Sequence, residues 1–132
     1  MNGQININEL LKQMEPELKE GEFVFCTVPH HYSFNPLTVQ GFFKESEGIT
    51  LILKREEAEN LNLKYTYIAA WITLKVHSSL AAIGFTAAFS NALSSEGISC
   101  NVIAAYYHDH IFVPYQDADR ALLVLKSLSL QK

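Results

Sequence analysis

The sequence predicts an α+β fold of the ferredoxin-like kind, in which tandem half-units share a largely antiparallel sheet with helices on one face. Two observations predict this fold. Segments with helical periodicity alternate with segments of period two. A faint internal repeat also divides the 132 residues, because a helix closed by Glu20-Gly21 and another closed by Glu96-Gly97 each precede a strand. We therefore expect an N-terminal half at residues 1–66 and a C-terminal half at 67–132, packed as one compact body.

The N-terminal half is expected to have the order αβββα. Leucines and a methionine at helical spacing follow Asn8, a good N-cap, and predict the first helix. An irregular stretch with two prolines, at residues 29–37, separates the first strand from a hairpin with a short glycine-containing turn. In order, the predicted elements are a helix ending at Glu20-Gly21, a strand at 22–28, strands at 39–45 and 49–54, and a short helix at 56–61.

The C-terminal half is expected to have the order βαββα, a βαββαβ unit without its last strand. Ile72, Leu74 and Val76 alternate with polar or mixed positions, which is typical of a strand with one buried face. Ser78 or Ser79 is then the expected cap of a helix from Leu80 to about Ser95, with Ile83, Ala87, Phe89 and Leu93 on its apolar side and Gly97 at its end.

Two further strands and a helix complete this half. Strands at 98–107 and 110–115 are predicted around a turn at His108-Asp109. A last helix begins at Asp117 and is expected to bury Ala121, Leu122, Leu125 and Leu128.

The charge distribution favours self-association and argues against nucleic acid. The chain has 10 Lys plus Arg and 14 Asp plus Glu, a net charge of −4, so it lacks the basic field that holds a phosphate backbone. Between Ile68 and Gln116 the only formal charges are Lys75, Glu96 and Asp109. A segment so poor in charge packs within the fold or against another subunit. We expect a homodimer, with the dimer face and the ligand cleft both in this region.

Other features indicate a cytoplasmic protein that does not enter a membrane. The N-terminus has no basic and apolar regions of a signal peptide. The most apolar helical run, Leu80 to Leu93, is 14 residues, shorter than the roughly 20 needed to span a bilayer. Cys26 and Cys100 stand singly in apolar contexts, as buried thiols of cytosolic proteins do.

The sequence offers little for catalysis. No G-x-S-x-G motif is present, and the acidic pairs Glu56-Glu57 and Asp117/Asp119 lie at helix starts, where the helix dipole accounts for them. We expect no catalytic residues, no cofactor and no metal. One alternative stays open, a metal-dependent enzyme that uses His108, Asp109 and His110, since imidazoles two residues apart beside a carboxylate are possible metal ligands.

Two segments are candidates for binding a small molecule. The run from His77 to Gly84 is a strand-to-helix turn, whose free N–H groups and serine hydroxyls favour a carboxylate. The run from Asn101 ends at Asp109, an acid in a stretch that otherwise excludes acids, for which a ligand ammonium or guanidinium would be a partner. An exposed hairpin tip would explain Asp109 equally well.

At these residues the sequence resembles the ACT-domain superfamily. The segments Glu22-Phe-Val-Phe-Cys-Thr-Val-Pro29, Phe43-Lys-Glu-Ser-Glu-Gly-Ile-Thr-Leu-Ile-Leu53 and Trp71-Ile-Thr-Leu-Lys-Val-His-Ser-Ser79, with Gly97 through Pro114, are similar to a bacterial family of small stand-alone tandem ACT proteins of unassigned function. The resemblance covers nearly the whole chain. A weaker similarity to aspartokinase ACT repeats and to the CASTOR arginine sensors is strongest around Asp109-His-Ile-Phe-Val-Pro114.

The resemblance implies a non-catalytic regulator that binds an amino acid between paired domains and transmits occupancy to a partner protein. The implied ligand-binding residues are His77, Ser78, Ser79, Leu80 and Gly84, with Asn101, Val102 and Asp109 opposite, and Asp109 would hold a basic group. The usual ACT turn has Asp and Pro before its Gly, where this chain has Ser78-Ser-Leu-Ala-Ala-Ile-Gly84. A ligand-free dimerisation or scaffold module is the alternative.

Overall fold

The computed structural model describes residues 7–76 and 83–130 and divides into two compact units. One unit is Gly21–Ala69, and the other joins the chain up to Glu20 with the chain from Ala70 onward. The predicted halves differ from these units mainly at the N-terminus, which belongs with the C-terminal segment. The elements are α1 (Ile7–Gln13), β1 (Glu15–Leu18), β2 (Phe23–Val28), β3 (Gly41–Lys44), β4 (Ile49–Lys54), α2 (Arg55–Asn60), β5 (Ile68–Lys75), α3 (Phe85–Ser95), β6 (Asn101–Ala104), β7 (Asp109–Pro114) and α4 (Ala118–Leu130).

The first predicted helix was too long, because the segment after Gln13 is a strand. Pro16 lacks an N–H and clashes with the preceding helical turn, and it drives Glu15 into an extended conformation. Strand β1 then pairs antiparallel with β5, with Glu15 opposite Lys75 and Leu18 opposite Ile72. The strand missing from the predicted βαββα half is therefore supplied by the N-terminal segment.

The discontinuous unit has the strand order β1-β5-β7-β6. Ile72 and Leu74 of β5 and Ile111 and Val113 of β7 alternate toward one face and form a core with residues of α1, α3 and α4. The predicted burial of alternate β5 residues is confirmed, and so is that of Ala121 and Leu125 in the last helix, whereas Leu122 and Leu128 are half-buried. This unit contains an α+β arrangement of the ferredoxin-like kind, as expected.

Helix α3 begins later than expected. It follows Gly84, whose φ of 94° lies in the left-handed region that favours glycine. The predicted cap, Ser78 or Ser79, and the predicted start, Leu80, lie outside the described residues. Ile83 precedes the helix and is 91% exposed, and Ala87 is also exposed, so the prediction that both are buried was wrong. The buried positions, spaced four apart, are Phe85, Phe89 and Leu93.

The hairpin after α3 turns earlier than predicted. Residues 105–108 form the turn, where the Ala105 N–H donates to the His108 carbonyl at 3.1 Å, and Asp109 is the first residue of β7. The exposed tip holds Tyr106 and Tyr107. In this register Ile111 and Val113 face the helices, and a one-residue slip would turn His110 and Phe112 to that face instead.

The Gly21–Ala69 unit has the order β3-β4-β2 with Ile68 and Ala69 of β5 beside β2. The predicted hairpin around residues 46–48 is confirmed, with Gly41 opposite Ile52. Between β2 and β3 lies the predicted irregular stretch, which contains one 3-10 turn at Pro36–Thr38. The core of this unit consists of Val24, Cys26, Val28, Ile49, Leu51, Leu53 and Ala58.

Within the described part of the chain, no helix has both the length and the apolar character that crossing a bilayer requires.

Candidate functional site

Asp109 is a half-buried carboxylate at the start of β7, not part of an exposed tip. It lies opposite Ala104 and, by alternation with Ile111 and Val113, on the face that packs against the helices. Its side chain has no hydrogen bond or ion pair to any residue of 7–76 or 83–130, and burial raises its pKa. Asp109 thus loses part of its contact with water without gaining a partner from the described chain.

The strand β6 places the other two predicted residues on different faces. Val102 is opposite Ile111, so it shares the face of Asp109, where it is half-buried and packs against the core. Asn101 is opposite Phe112 on the other face, is exposed, and its Nδ2 lies 3.5 Å from the Phe112 carbonyl oxygen. The structure brings Val102 to the side of Asp109 and directs Asn101 away from it.

Gly84 stands exposed before α3, where its carbonyl accepts from the Ala88 N–H at 2.9 Å. A Cβ at Gly84 would lie 3.8 Å from the Ile7 side chain, which is ordinary contact, so the left-handed φ is what favours glycine there. The remaining predicted residues, His77, Ser78, Ser79 and Leu80, lie outside the described residues.

A second polar group, which the sequence analysis did not identify, lies on the opposite face of β5 and β7. Trp71 Nε1 donates to His110 Nδ1 at 3.1 Å, and Thr73 Oγ1 lies 3.0 Å from the same nitrogen. Thr73, only 3% exposed, is the one polar side chain classed as buried in the described part. Trp71 also stacks on Phe112, with ring centroids 6.2 Å apart. In the sequence, this group is indicated by the positions of β5 that alternate with Ile72 and Leu74. Their partner on β7 could be identified only from the pairing of the strands.

His110 is held in its neutral form. Because an indole nitrogen can only donate, His110 Nδ1 accepts the bond from Trp71. Burial, together with the nearby His108 and the Lys19 ammonium, lowers the pKa of His110. Lys19 Nζ lies 5.4 Å from the centre of the Trp71 ring. His108 Nδ1 is itself buried and has no hydrogen-bond partner in the described part of the chain.

The lowered pKa of His110 predicts a loss of stability in acid. The unfolded chain binds a proton with an ordinary pKa of about 6.5, whereas the folded chain binds it only at lower pH. This contribution is present above the unfolded pKa and decreases as the pH falls toward the folded pKa. We expect the free energy of unfolding in urea to decrease from about pH 7 to about pH 5, and the decrease to be smaller in His110→Gln.

His31→Gln, a change of an exposed histidine in the other unit, is the matched control and should leave the pH dependence as in the wild type. An equal decrease in the His110→Gln variant would contradict the assignment.

The geometry gives little support for metal or nucleophile chemistry. In residues 7–76 and 83–130 no three His, Cys, Asp or Glu side chains converge on a metal position. Asp109 alternates with His110 and faces the other side of the sheet. Burial raises the pKa of Cys100 to about 11 and also raises that of Cys26, so both are protonated thiols at neutral pH. The metal-enzyme alternative therefore has no site among these residues.

Two ACT-domain family profiles match the chain, one over residues 2–70 and the other over residues 67–127. The first alone covers more than half of the sequence. The chain belongs to the ACT-domain family. No protein with curated annotation is similar to it in sequence.

Several solved structures share this fold. A Vibrio cholerae protein of unknown function, described as a possible transport protein, is 44% identical with a TM-score of 0.84, over 97% of this chain and 99% of that one. The ligand-free regulatory subunit of Thermus thermophilus aspartate kinase has 10% identity and a TM-score of 0.64, over 89% and 97% of the chains. E. coli aspartokinase III, in complex with aspartate and ADP, has 13% identity and a TM-score of 0.61, over 92% of this chain and 34% of that one.

The two aspartate kinase structures are similar to this ACT protein in fold alone, because their identities lie below 25%. ACT domains are regulatory, non-catalytic modules. Membership of this family therefore indicates a regulatory role.

Proposed function

We propose that this ACT protein is a non-catalytic regulator that binds an amino acid, with Asp109 holding the ligand's ammonium or guanidinium group. The observation that carries the proposal is the half-buried carboxylate of Asp109, which has no partner in the described residues. A carboxylate taken from water without a counter-charge destabilises the fold, and a cationic ligand group removes that penalty. Family membership supports a small-molecule ligand.

Basic amino acids are the ligand class that this carboxylate favours. A charge-assisted hydrogen bond to a partly desolvated carboxylate is stronger than one in bulk water. The half-buried Val102 on the same face offers apolar contact to the aliphatic part of such a ligand. For the ligand's carboxylate, Ser78 and Ser79, which lie outside the described residues, remain the proposed contacts.

We propose further that the protein acts as a homodimer and passes ligand occupancy to a partner protein. In its own unit, β6 is the last strand in the order, and Ile103, Tyr106 and Tyr107 on this hairpin are exposed. A strand edge beside which the described part of the chain places no further strand, together with exposed aromatic rings, favours association with a second chain. Signalling then requires a ligand that binds two arrangements of the dimer with different affinity.

Calorimetric titration with each of the twenty amino acids tests the ligand assignment. We expect heat with a basic amino acid, and affinity at least about tenfold lower in Asp109→Asn, since a hydrogen bond to a charged group contributes about 1.5–3 kcal/mol. The matched control, Asp119→Asn, removes an exposed acid from α4 and should bind as the wild type does. No heat with any amino acid would overturn the assignment.

Light scattering on the same samples decides between the proposed function and its alternative. A mass of twice the chain with ligand heat supports the dimeric regulator. The same mass without heat supports a ligand-free dimerisation module, for which the exposed β6–β7 hairpin would suffice.

A further inference from the structure

A cleft separate from Asp109 lies in the discontinuous unit, between β1 and the C-terminal end of α4. Its volume of about 590 Å³ is in the range of small-molecule sites. It is open to solvent, and Asp109 does not line it. Its lining residues are Met14, Glu15, Pro16, Glu17, Lys75, Lys126, Ser129 and Leu130.

The structure holds one wall of the cleft in place. Ser129 Oγ donates to the Met14 carbonyl at 2.8 Å, which joins the last turn of α4 to the residue that precedes β1. Met14 is buried and Pro16 is half-buried. Pro16 and the exposed Leu130 give the cleft its apolar surface, and the buried Met14 anchors β1 beside them.

The charges around the cleft are balanced but not fully paired. Glu17 Oε1 lies 3.2 Å from Lys19 Nζ and 3.8 Å from Lys75 Nζ. The side chains of Glu15 and Lys126 have no ion pair or hydrogen bond to any other described residue, and both residues are exposed. The cleft therefore presents one free carboxylate and one free ammonium beside apolar side chains.

We propose that this cleft binds a small zwitterion with an aliphatic side chain, its ammonium at Glu15 and its carboxylate at Lys126. Two acids and two bases line the cleft, so its charges sum to zero and favour neither a polyanion nor a polycation. A peptide strand is a poorer occupant, because Pro16 has no N–H to offer along β1. Since the paired charges are exposed, binding is expected to be weak, with a dissociation constant of about a millimolar. This site is additional to the proposed one at Asp109.

Norleucine and its two single-charge analogues, hexanoate and pentylamine, test the proposal by NMR on the full ¹⁵N-labelled chain. Norleucine is expected to shift the amides of Glu15, Glu17 and Ser129, and each analogue to bind at least about tenfold more weakly. Equal affinity for an analogue, or no shift at these amides, would overturn the proposal.

Charge reversal adds a test that does not depend on the choice of analogue. Glu15→Lys and Lys126→Glu should each abolish the norleucine shifts, and the double variant should restore them, because the ligand can bind in the opposite orientation. Lys12→Gln, an exposed change on α1, is the control. Asp109→Asn should keep the norleucine shifts, so the test of the cleft does not depend on whether Asp109 binds a ligand. A double variant that does not recover binding would contradict the proposal for the cleft.

Discussion

Replacing Leu125 by alanine is expected to lower the free energy of unfolding by about 2 to 5 kcal/mol. Leu125 is 0% exposed and belongs to the core that α4 shares with α1, α3, β5 and β7. The substitution removes buried methyl groups and leaves a cavity that the packed surroundings fill only in part. Urea unfolding followed by far-UV circular dichroism measures the change.

The same helix supplies the control. Leu123 is two residues away and 67% exposed, so Leu123→Ala should change the free energy of unfolding by less than about 0.5 kcal/mol. Both substitutions remove the same atoms from a helix, and only the burial differs. Similar losses in the two variants would contradict the placement of α4.

Gly48→Ala is expected to destabilise the Gly21–Ala69 unit by about 1 to 3 kcal/mol. A Cβ at this position would lie 2.6 Å from the Val28 carbonyl oxygen, an atom of the main chain of β2, and 3.3 Å from Thr27 Oγ1. Gly48 also closes the turn of the β3–β4 hairpin, because the Glu45 N–H donates to its carbonyl at 2.7 Å. The main-chain oxygen cannot move aside without disturbing the pairing of β2 with β4.

Gly41→Ala is the matched control for Gly48→Ala. Gly41 begins β3, and a Cβ there would meet no atom within 4 Å. We expect thermal melting to give a clearly lower transition temperature for Gly48→Ala and a nearly unchanged one for Gly41→Ala. A wild-type melting temperature for Gly48→Ala would show that the β2 main chain accommodates a methyl group.

Local signals in the sequence predicted most elements of the fold. The alternation of Ile72 and Leu74, the hairpin around Gly48 and the helix end at Gly97 depend on neighbouring residues, so they could be recognised without the structure. The first predicted helix was too long, because Pro16 breaks the helical pattern that the leucine spacing suggests. The turn predicted at His108-Asp109 lies one residue too far along the chain, because Asp109 pairs with Ala104 as the first residue of β7.

The candidate site could likewise be predicted only where a local signal marks it. Asp109 could be singled out from the low-charge stretch around it, and the structure places it half-buried. The β6–β7 register places Val102 on the face of Asp109 and Asn101 on the other face. No local sequence pattern contains this register. The bonds of His110 to Trp71 and Thr73 join residues more than thirty positions apart.

The sequence by itself determined the α+β class, the ACT family and the order of nearly all the elements, because periodicity, turns and family similarity are carried by short segments. Only the tertiary structure decided that β1 completes the C-terminal unit, that Asp109 lies in a strand, and that Glu15 and Lys126 line one cleft. Each of these depends on pairing or packing between distant segments. Such contacts form where they bury apolar surface and satisfy main-chain hydrogen bonds together, a condition that no single segment specifies.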